Sequence, residues 1–420
     1  MINRIEFTAN NLTSYAGLYP LLNYTKESGI MQLLEEELVF EKNTIERIKM
    51  KHITTMLSLH FLGADKLDRV SLLKEDPLLE KGFGINVTAP ENVSRFFSNF
   101  TFKTTQMLRN VNFKVFKKLL KHSKLKEITI DIDSTVENLE GNQEGATKGY
   151  NPGHKGNKCY NVLMAFCAEL KSFITGYQRP GNTYTSNGAA EMIKEIIAQL
   201  KDTVEDIVFR MDSGYFSEEI MKIIEEAGYH YVIKGKHYGT ILPMVYAGSV
   251  RIWDRYRNKE DITACCIKPE KWDCTRKFVV VRELKSEEKR RQIPMFEYCD
   301  YDHDYYVTNT LWEPAEIVWF YEKRGNCENY IKEAKYDLNV GTMILKSFWA
   351  NEAIFQLQML VYNIFLLFKM EYVNEDYRQW VRTFRFKYVF VAAKIVQSGR
   401  STIMKMSKTY PYQKVFNSAS

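Results

Sequence analysis

The stretch KEITIDIDST, residues 126–135, decides the fold class, because its apolar and polar side chains alternate with a period of two. Its isoleucines fall on one face, and Asp131 and Asp133 fall on the other. The pattern predicts a β-strand that packs its isoleucines into a core and presents two carboxylates on the opposite face.

The sequence after this strand predicts a mixed sheet with helices on both faces. Two stretches of strand length, 159–170 and 171–182, lie close enough to form an antiparallel pair. An amphipathic helix, a second alternating strand that ends at Asp212, another helix and a last strand follow. The order β-β-β-α-β-α-β is that of an RNase H-like core. The sequence therefore predicts an α/β protein with an RNase H-like catalytic core.

The flanking sequence predicts further regions around this core. Apolar residues at three- and four-residue spacing predict a helical N-terminal region and C-terminal helices. Strand-like stretches without a long helix predict a β-rich insertion after the last core strand. The predicted regions are 1–125 (mainly helical), 126–239 (first part of the core), 240–312 (β-rich insertion), 313–370 (the rest of the core) and 371–420 (a basic helical tail).

Cysteine usage and apolar patterning argue against several classes of protein. The seven cysteines are odd in number and include no CxxC pair, which argues against a zinc site or a disulfide framework. Reduced thiols and an N-terminus without an apolar signal segment predict a cytoplasmic protein. The most apolar stretch, 354–368, is interrupted by Gln356, Gln358 and Asn363. We therefore expect a buried helix there and no membrane partner.

The basic residues are unevenly distributed along the chain. The segment from Glu371 to Ser420 contains nine Lys and Arg residues and three acidic residues. Its net charge of +6 equals the net charge of the whole chain. A second basic stretch spans 103–126. Basic stripes bind nucleic acid because each neutralised phosphate releases counterions. A solvated helix face gives the same pattern, so charge alone leaves both interpretations open.

A motif near residue 321 carries the most specific pattern. Tyr321, Arg324, Glu328 and Lys335 are spaced so that one long helix beginning near Glu313 would hold all four in a stripe about 60° wide. A carboxylate flanked by two cations and a phenol suits a metal ion bound to phosphate. A salt-bridged, solvent-facing stripe is the alternative.

The motif resembles the Tyr-Arg-Glu-Lys signature of bacterial insertion-sequence transposases that carry a β-strand insertion. Other segments resemble further motifs of the same group, in particular its branch numbered thirteen-eighty, and the similarity extends from about Leu12 to Lys369. These segments are 133–135 (Asp-Ser-Thr), 210–215 (Arg-Met-Asp-Ser-Gly-Tyr), 149–152 (Gly-Tyr-Asn-Pro) and 179–182 (Arg-Pro-Gly-Asn).

The resemblance implies a DDE transposase in which Asp133, Asp212 and Glu328 are the catalytic residues and hold two Mg²⁺ ions, for which Mn²⁺ can substitute. Two such ions, roughly 4 Å apart, activate the attacking oxygen and stabilise the leaving oxygen of a phosphodiester. Mg²⁺ prefers oxygen ligands, which carboxylates supply.

Two neighbouring acids need separate interpretation. Asp131 shares the face of Asp133, and the Ser-Thr that follows Asp133 favours Asp133 as the ligand. Asp131 is then either a supporting residue or a solvent-facing acid without a role. Glu137 is interpreted as a surface carboxylate of a loop.

The resemblance also implies a set of DNA contacts. Tyr321, Arg324 and Lys335 would bind phosphates of the transposon end, and Lys155, in a glycine-rich loop, would approach the DNA backbone. Trp253, or with less support Trp272, would stack on a base flipped out of the duplex. Packing in the core is the alternative for each tryptophan, and packing at the start of the helix is the alternative for Tyr321.

The implied partners are double-stranded DNA, as transposon ends and as target, and a second copy of the chain in a synaptic complex. The N-terminal helical region would recognise the transposon ends. Two rival functions remain at this stage: an RNase H-like nuclease without strand transfer, and a catalytically silent DNA-binding protein derived from a transposase.

Overall fold

The computed structural model describes residues 4–151, 153–184, 186–236, 241–247, 253–286, 300–373 and 379–418. Pro152, the last residue of the motif at 149–152, lies outside the described residues, as do parts of the predicted insertion and tail.

A ten-stranded mixed sheet forms the centre of the fold. Its middle strands are parallel, and the strands on either side are antiparallel to them. The helices and strands between 127 and 234 occur in the order that the sequence predicts, with one additional short strand. They are β2 (Glu127–Leu139), β3 (Thr147–Lys148), β4 (Lys158–Cys167), β5 (Ser172–Pro180), α9 (Ala189–Leu200), β6 (Asp206–Met211), α10 (Glu218–Glu226) and β7 (His230–Lys234).

The strands of the predicted insertion extend this same sheet. The strand order is β3-β4-β2-β6-β7, followed by the four insertion strands in reverse chain order, with β5 on the outer side of β4. A short helix precedes these strands, and the prediction of a region without a long helix is compatible with it. The elements are α11 (Ile241–Ala247), β8 (Asp254–Arg257), β9 (Glu260–Ile267), β10 (Arg276–Leu284) and β11 (Tyr301–Thr308).

The N-terminal region is helical, as the sequence predicts. Its longest helix, α8, begins with a capping box in which Thr101 and Thr104 bond each other's backbone. The elements are β1 (Leu12–Thr13), α1 (Leu18–Glu27), α2 (Ile30–Glu37), α3 (Asn43–Glu46), α4 (Lys49–Leu62), α5 (Val70–Glu75), α6 (Pro77–Phe83), α7 (Pro90–Phe97) and α8 (Phe102–Ser123).

The C-terminal part is only partly helical, which corrects the predicted helical tail. Two strands pair as a hairpin there and join β1 in a three-stranded sheet of order β1-β12-β13. The elements are α12 (Pro314–Glu322), α13 (Gly325–Asp337), α14 (Phe348–Phe368), α15 (Val381–Phe384), β12 (Ala393–Ser398), β13 (Ser401–Met406) and α16 (Gln413–Ser418), with π-helical turns at Lys369–Val373 and Arg385–Val389.

Helix α14 is the buried helix predicted from the interrupted apolar stretch. By length and composition alone residues 348–373 could cross a membrane, but 94% of the apolar window is buried inside the protein. Its polar residues bond the backbone of β5, the outer strand. Gln356 Nε2 donates to Gly176 O at 2.7 Å, and Asn363 both accepts from Phe173 N at 3.0 Å and donates to Phe173 O at 2.8 Å. The helix thereby satisfies backbone groups that a sheet edge otherwise leaves unpaired.

Candidate active site

Asp133 and Asp212 lie side by side because their strands are parallel and in register. Ile132 of β2 pairs with Met211 of β6; Asp133 is the next residue of β2, and Asp212 directly follows the end of β6. Residues that follow paired positions of parallel strands emerge at the same place on the sheet. The structure therefore brings together two acids that are distant in sequence.

Each of these carboxylates has one oxygen bound to backbone. Ser134 N donates to Asp133 Oδ1 at 2.8 Å, and Gly214 N donates to Asp212 Oδ1 at 2.7 Å. The second oxygen of each faces Arg324: Nη2 lies 3.0 Å from Asp133 Oδ2 and 3.6 Å from Asp212 Oδ2. Two acidic oxygens thus share one cationic group.

Arg324 reaches this position from a break between two helices, which corrects the prediction of one long helix. Helix α12 ends at Glu322 and α13 begins at Gly325. Across the break the backbone N–H of Arg324 donates to Tyr321 O at 2.8 Å, and that of Cys327 donates to Arg324 O at 2.8 Å. Such three-residue bonds are those of a 3₁₀ turn, so the four motif residues do not lie on one continuous α-helix.

Glu328 lies in the first turn of α13, but its side chain is not joined to the aspartate pair. It is 60% exposed, and its Oε2 lies 3.8 Å from Lys332 Nζ. Within the described part of the chain, no three acidic, histidine or cysteine side chains are close enough to hold a metal ion. The structure therefore assembles two of the three predicted carboxylates and leaves the third nearby.

The electrostatics of Asp133 indicate that this pair needs a cation. The pKa of Asp133 is raised to about 6, mainly by burial; Arg324 opposes this shift, and the charges of Asp212 and Glu328 add to it. Crowded carboxylates are stabilised in their charged form by a positive ion. Oxygen donors of this kind fit a hard divalent cation, with Oδ2 of Asp133 and of Asp212 as the available ligand atoms.

Asp131 is not available as a ligand, because both of its oxygens are bound to Arg210. The acid is fully buried; Arg210 Nε donates to Oδ1 at 2.6 Å and Nη2 donates to Oδ2 at 2.9 Å. The remaining Nη1 donates to Phe320 O at 2.6 Å, near the end of α12. The possibility that Asp131 faces solvent is therefore wrong.

Glu137 is also buried, which corrects its interpretation as a surface carboxylate. It is 3% exposed, lies within β2 and accepts a hydrogen bond from Gln178 Nε2 at 3.0 Å. Burial raises its pKa to about 8, although Lys335 opposes this shift.

Tyr321 and Lys335 flank Arg324 and Glu328 along the chain, and both make contacts inside the protein. The ring of Tyr321 packs on Tyr306, with centroids 4.8 Å apart; its pKa is raised, first by burial and further by Asp212 and Asp133. Lys335 Nζ donates to Val136 O at 2.9 Å. Both side chains are therefore engaged in contacts within the protein.

The two candidate tryptophans are partly buried among other side chains. Trp253 packs against Tyr246, and the guanidinium of Arg282 lies over its ring, 4.1 Å from the ring centroid. Trp272 packs against Phe216 and Phe278. Lys155 and its neighbour His154 are exposed on the loop between β3 and β4.

Arg210 is the residue whose role the sequence did not reveal. It belongs to a quoted motif, but its partner Asp131 stands opposite it only through the register of β2 with β6. An arginine inside an apolar strand is the one local signal, since such a charge needs a buried partner.

Comparison with known proteins gives low-identity structural similarity and a family match. The piggyBac transposase synaptic complex with hairpin DNA aligns at 13% identity and a TM-score of 0.47, over 88% of this chain and 79% of that one. Two Mos1 structures, the paired-end complex with the left transposon end and the mariner paired-end complex with Mn, each align at 12% identity, with TM-scores of 0.20 and 0.19. They cover 38% and 42% of this chain, and 56% and 63% of their own.

No curated protein matches the chain. A family model described as transposase DDE domain group 1 matches residues 3–420, and the chain therefore belongs to this family of DDE transposases.

Proposed function

We propose that this transposase, a DNA-cleaving enzyme of a family that generally uses divalent metal ions, binds the ends of an insertion sequence, cuts them with two Mg²⁺ ions and joins the freed 3′-OH ends to target DNA. Mn²⁺ would substitute for Mg²⁺. The observation that carries the proposal is the aspartate pair, in which one oxygen of Asp133 and one of Asp212 are left to share a cation.

Divalent ions bound there would activate the attacking oxygen and stabilise the leaving oxygen of the phosphodiester. The residues of the chain supply the rest. Backbone N–H groups of Ser134 and Gly214 fix the orientation of the two carboxylates. Glu328 is exposed on the adjacent helix, so rotation about its side-chain bonds would bring it toward the pair.

Arg324 would exchange partners when metal ions and DNA bind. Asp133 and Asp212 would hold the divalent cation, and the guanidinium of Arg324 would then be free to bind another anion. Its Nε is buried and has no hydrogen-bond partner among the described residues. A planar guanidinium with unused donors suits a phosphate of the transposon end. Tyr321 and Lys335 would contact neighbouring phosphates.

The finer assignments belong to the same proposal. The motif of Tyr321, Arg324, Glu328 and Lys335 supports the Tyr-Arg-Glu-Lys group and its branch numbered thirteen-eighty. We assign residues 126–239 and 313–370 to an RNase H-like core, 240–312 to the insertion and 1–125 to recognition of transposon ends. The chain would act in the bacterial cytoplasm at the nucleoid, as a homodimer in a synaptic complex. Trp253 and Lys155 would add DNA contacts.

The test is cleavage of labelled DNA that carries the terminal sequences flanking the gene, with Mg²⁺, comparing the native chain with Glu328→Gln. We expect cleavage to fall by at least about 100-fold in the variant while DNA binding is retained. Glu226→Gln, an exposed change on α10, serves as the matched control and should cleave normally.

Other outcomes separate the rival functions. Equal cleavage by the native chain and Glu328→Gln would remove Glu328 from the mechanism. Cleavage without joining, when pre-cut ends and target DNA are supplied, would favour a nuclease without strand transfer. Binding without cleavage by the native chain would favour the silent DNA-binding protein.

A further inference from the structure

The last part of the chain is basic and contains no acid. From residue 377 to residue 420 there are nine Lys and Arg residues and no Asp or Glu, although the chain has 52 acidic residues in total. A solvated surface normally mixes charges of both signs. A segment this one-sided is therefore suited to an anionic partner.

This segment includes the hairpin β12–β13, which is fixed to the protein along one face. Lys394 pairs with Leu12 of β1 at the base of the hairpin. On the inner face Ile395 is buried, and Met404 packs against the main core. The inner face of the hairpin is thus packed against the protein, and the lysines of its outer face are exposed.

The outer face places like charges opposite each other. Lys394 is the register partner of Lys405, and both are exposed. Like charges directly opposite on a sheet are destabilising. Arg400 is exposed in the turn, next to Gly399, whose φ of +59° lies in the left-handed region. Within the described residues these three cations form no ion pair with an acidic side chain.

We propose that the outer face of the β12–β13 hairpin binds the phosphate backbone of duplex DNA through Lys394, Arg400 and Lys405. The inference rests on the proposed function, because it locates one DNA contact of the same enzyme. A two-stranded ribbon fits a duplex, since its strands lie about 4.8 Å apart and the major groove is about 12 Å wide. Ser398 and Ser401, register partners at the tip, add hydroxyl groups of the kind that contact DNA phosphates.

The experiment removes the three charges and measures how DNA affinity depends on salt. Lys394→Gln, Arg400→Gln and Lys405→Gln are combined in one chain. Binding to a fluorescein-labelled 30-base-pair duplex of mixed sequence is followed by anisotropy from low to high NaCl. Each lost phosphate contact reduces the magnitude of the negative slope of log K against log salt by about 0.9. We therefore expect the magnitude to fall by about two to three and the affinity to fall at least about 10-fold.

Matched controls separate the hairpin from net charge and from folding. A triple variant at three exposed lysines outside the segment, Lys194→Gln, Lys201→Gln and Lys268→Gln, removes the same charge and should change the slope by less than about one. The double variant Lys394→Arg with Lys405→Arg keeps the charge and should bind normally. The thermal midpoint of the hairpin triple variant should equal or slightly exceed that of the native chain, because its three positions are exposed and the opposed like charges are removed.

Several results would overturn the inference. The hairpin triple variant could equal the lysine control in slope and affinity. It could also keep DNA binding while losing binding to vesicles that contain phosphatidylserine, which would assign the hairpin to a lipid surface. If the native chain does not bind duplex DNA, both the proposed function and this inference are wrong. If the native chain binds normally and the hairpin triple variant binds equally well, only this inference is wrong.

Discussion

The side chain of Arg210 connects every part of the chain that carries a candidate catalytic acid. It lies on β6 two residues before Asp212, binds Asp131 two residues before Asp133, and donates to Phe320 O ahead of the helix that carries Glu328. The Asp131–Arg210 pair therefore fixes two strands and α12 relative to one another. Because its three hydrogen-bonding nitrogens are all occupied, we expect Arg210 to position the acids and not to contact the substrate.

Arg210→Met should reduce the free energy of unfolding by about 3–5 kcal/mol, because it leaves Asp131 buried and unpaired. The double change Arg210→Met with Asp131→Leu should restore most of that stability, since apolar side chains can replace a buried ion pair. We expect DNA cleavage to stay at least about 10-fold low in the double variant, because Phe320 O has lost its anchor to β6. Urea unfolding and the cleavage assay provide the two measurements; a cleavage rate that recovers together with stability would show a purely structural role.

The sequence could identify Asp133 but could not separate it from Asp131 by periodicity. A period of two places both carboxylates on one face. Only the pairing of β2 with β6 shows that Asp131 stands opposite Arg210, and long-range register is not encoded in a local pattern. Glu137 was assigned to the surface for a similar reason. The alternation ends before it, although β2 continues to Leu139.

The sequence predicts the helices and strands of the structure best where the local signals are strong. The break before α13 was missed because Gly325 is the only breaker there, and a single glycine is often tolerated inside a helix. The prediction of a helical tail overlooks the β-branched residues around Ser398-Gly399, which are a hairpin signal. The sequence predicts that α14 is buried, but it does not predict that the polar residues of α14 bond the backbone of β5.

Asn363→Leu tests the contact of α14 with β5. Asn363 is fully buried and bonds both backbone groups of Phe173. The change leaves a buried N–H and a buried C=O unpaired, so we expect a loss of about 2–4 kcal/mol in unfolding free energy. The amide of Phe173 should exchange with solvent faster than in the native chain. Asn92→Leu, an exposed change in α7, should stay within about 0.5 kcal/mol of the native value, and an equal loss in both variants would contradict the proposed contact.

Buried titratable groups make the stability of the complete chain depend on pH in two opposite directions. Burial lowers the pKa of His60 to about 3 and that of His52 to about 4. The unfolded chain therefore binds more protons below about pH 6.5, and stability falls as the pH drops from there. Burial raises the pKa of Glu137 to about 8 and that of Glu352 to about 7. Their contribution is fully present below about pH 4.5 and is lost as the pH rises through 7 and 8.

Glu137→Gln should therefore change stability at high pH and not at low pH. Near Glu137 stand Lys335, which opposes the raised pKa, Glu352, which adds to it, and Gln178, which donates a hydrogen bond. At pH 5 the native side chain is protonated in the folded state, and the variant should unfold at nearly the same urea concentration. At pH 8.5 the native chain must hold a buried negative charge, so the variant should be more stable by about 1–3 kcal/mol. Glu140→Gln, exposed just beyond β2, should show no such difference between the two pH values. A stability change of the same size at pH 5 and pH 8.5 would show that packing, and not the buried charge of Glu137, determines the effect.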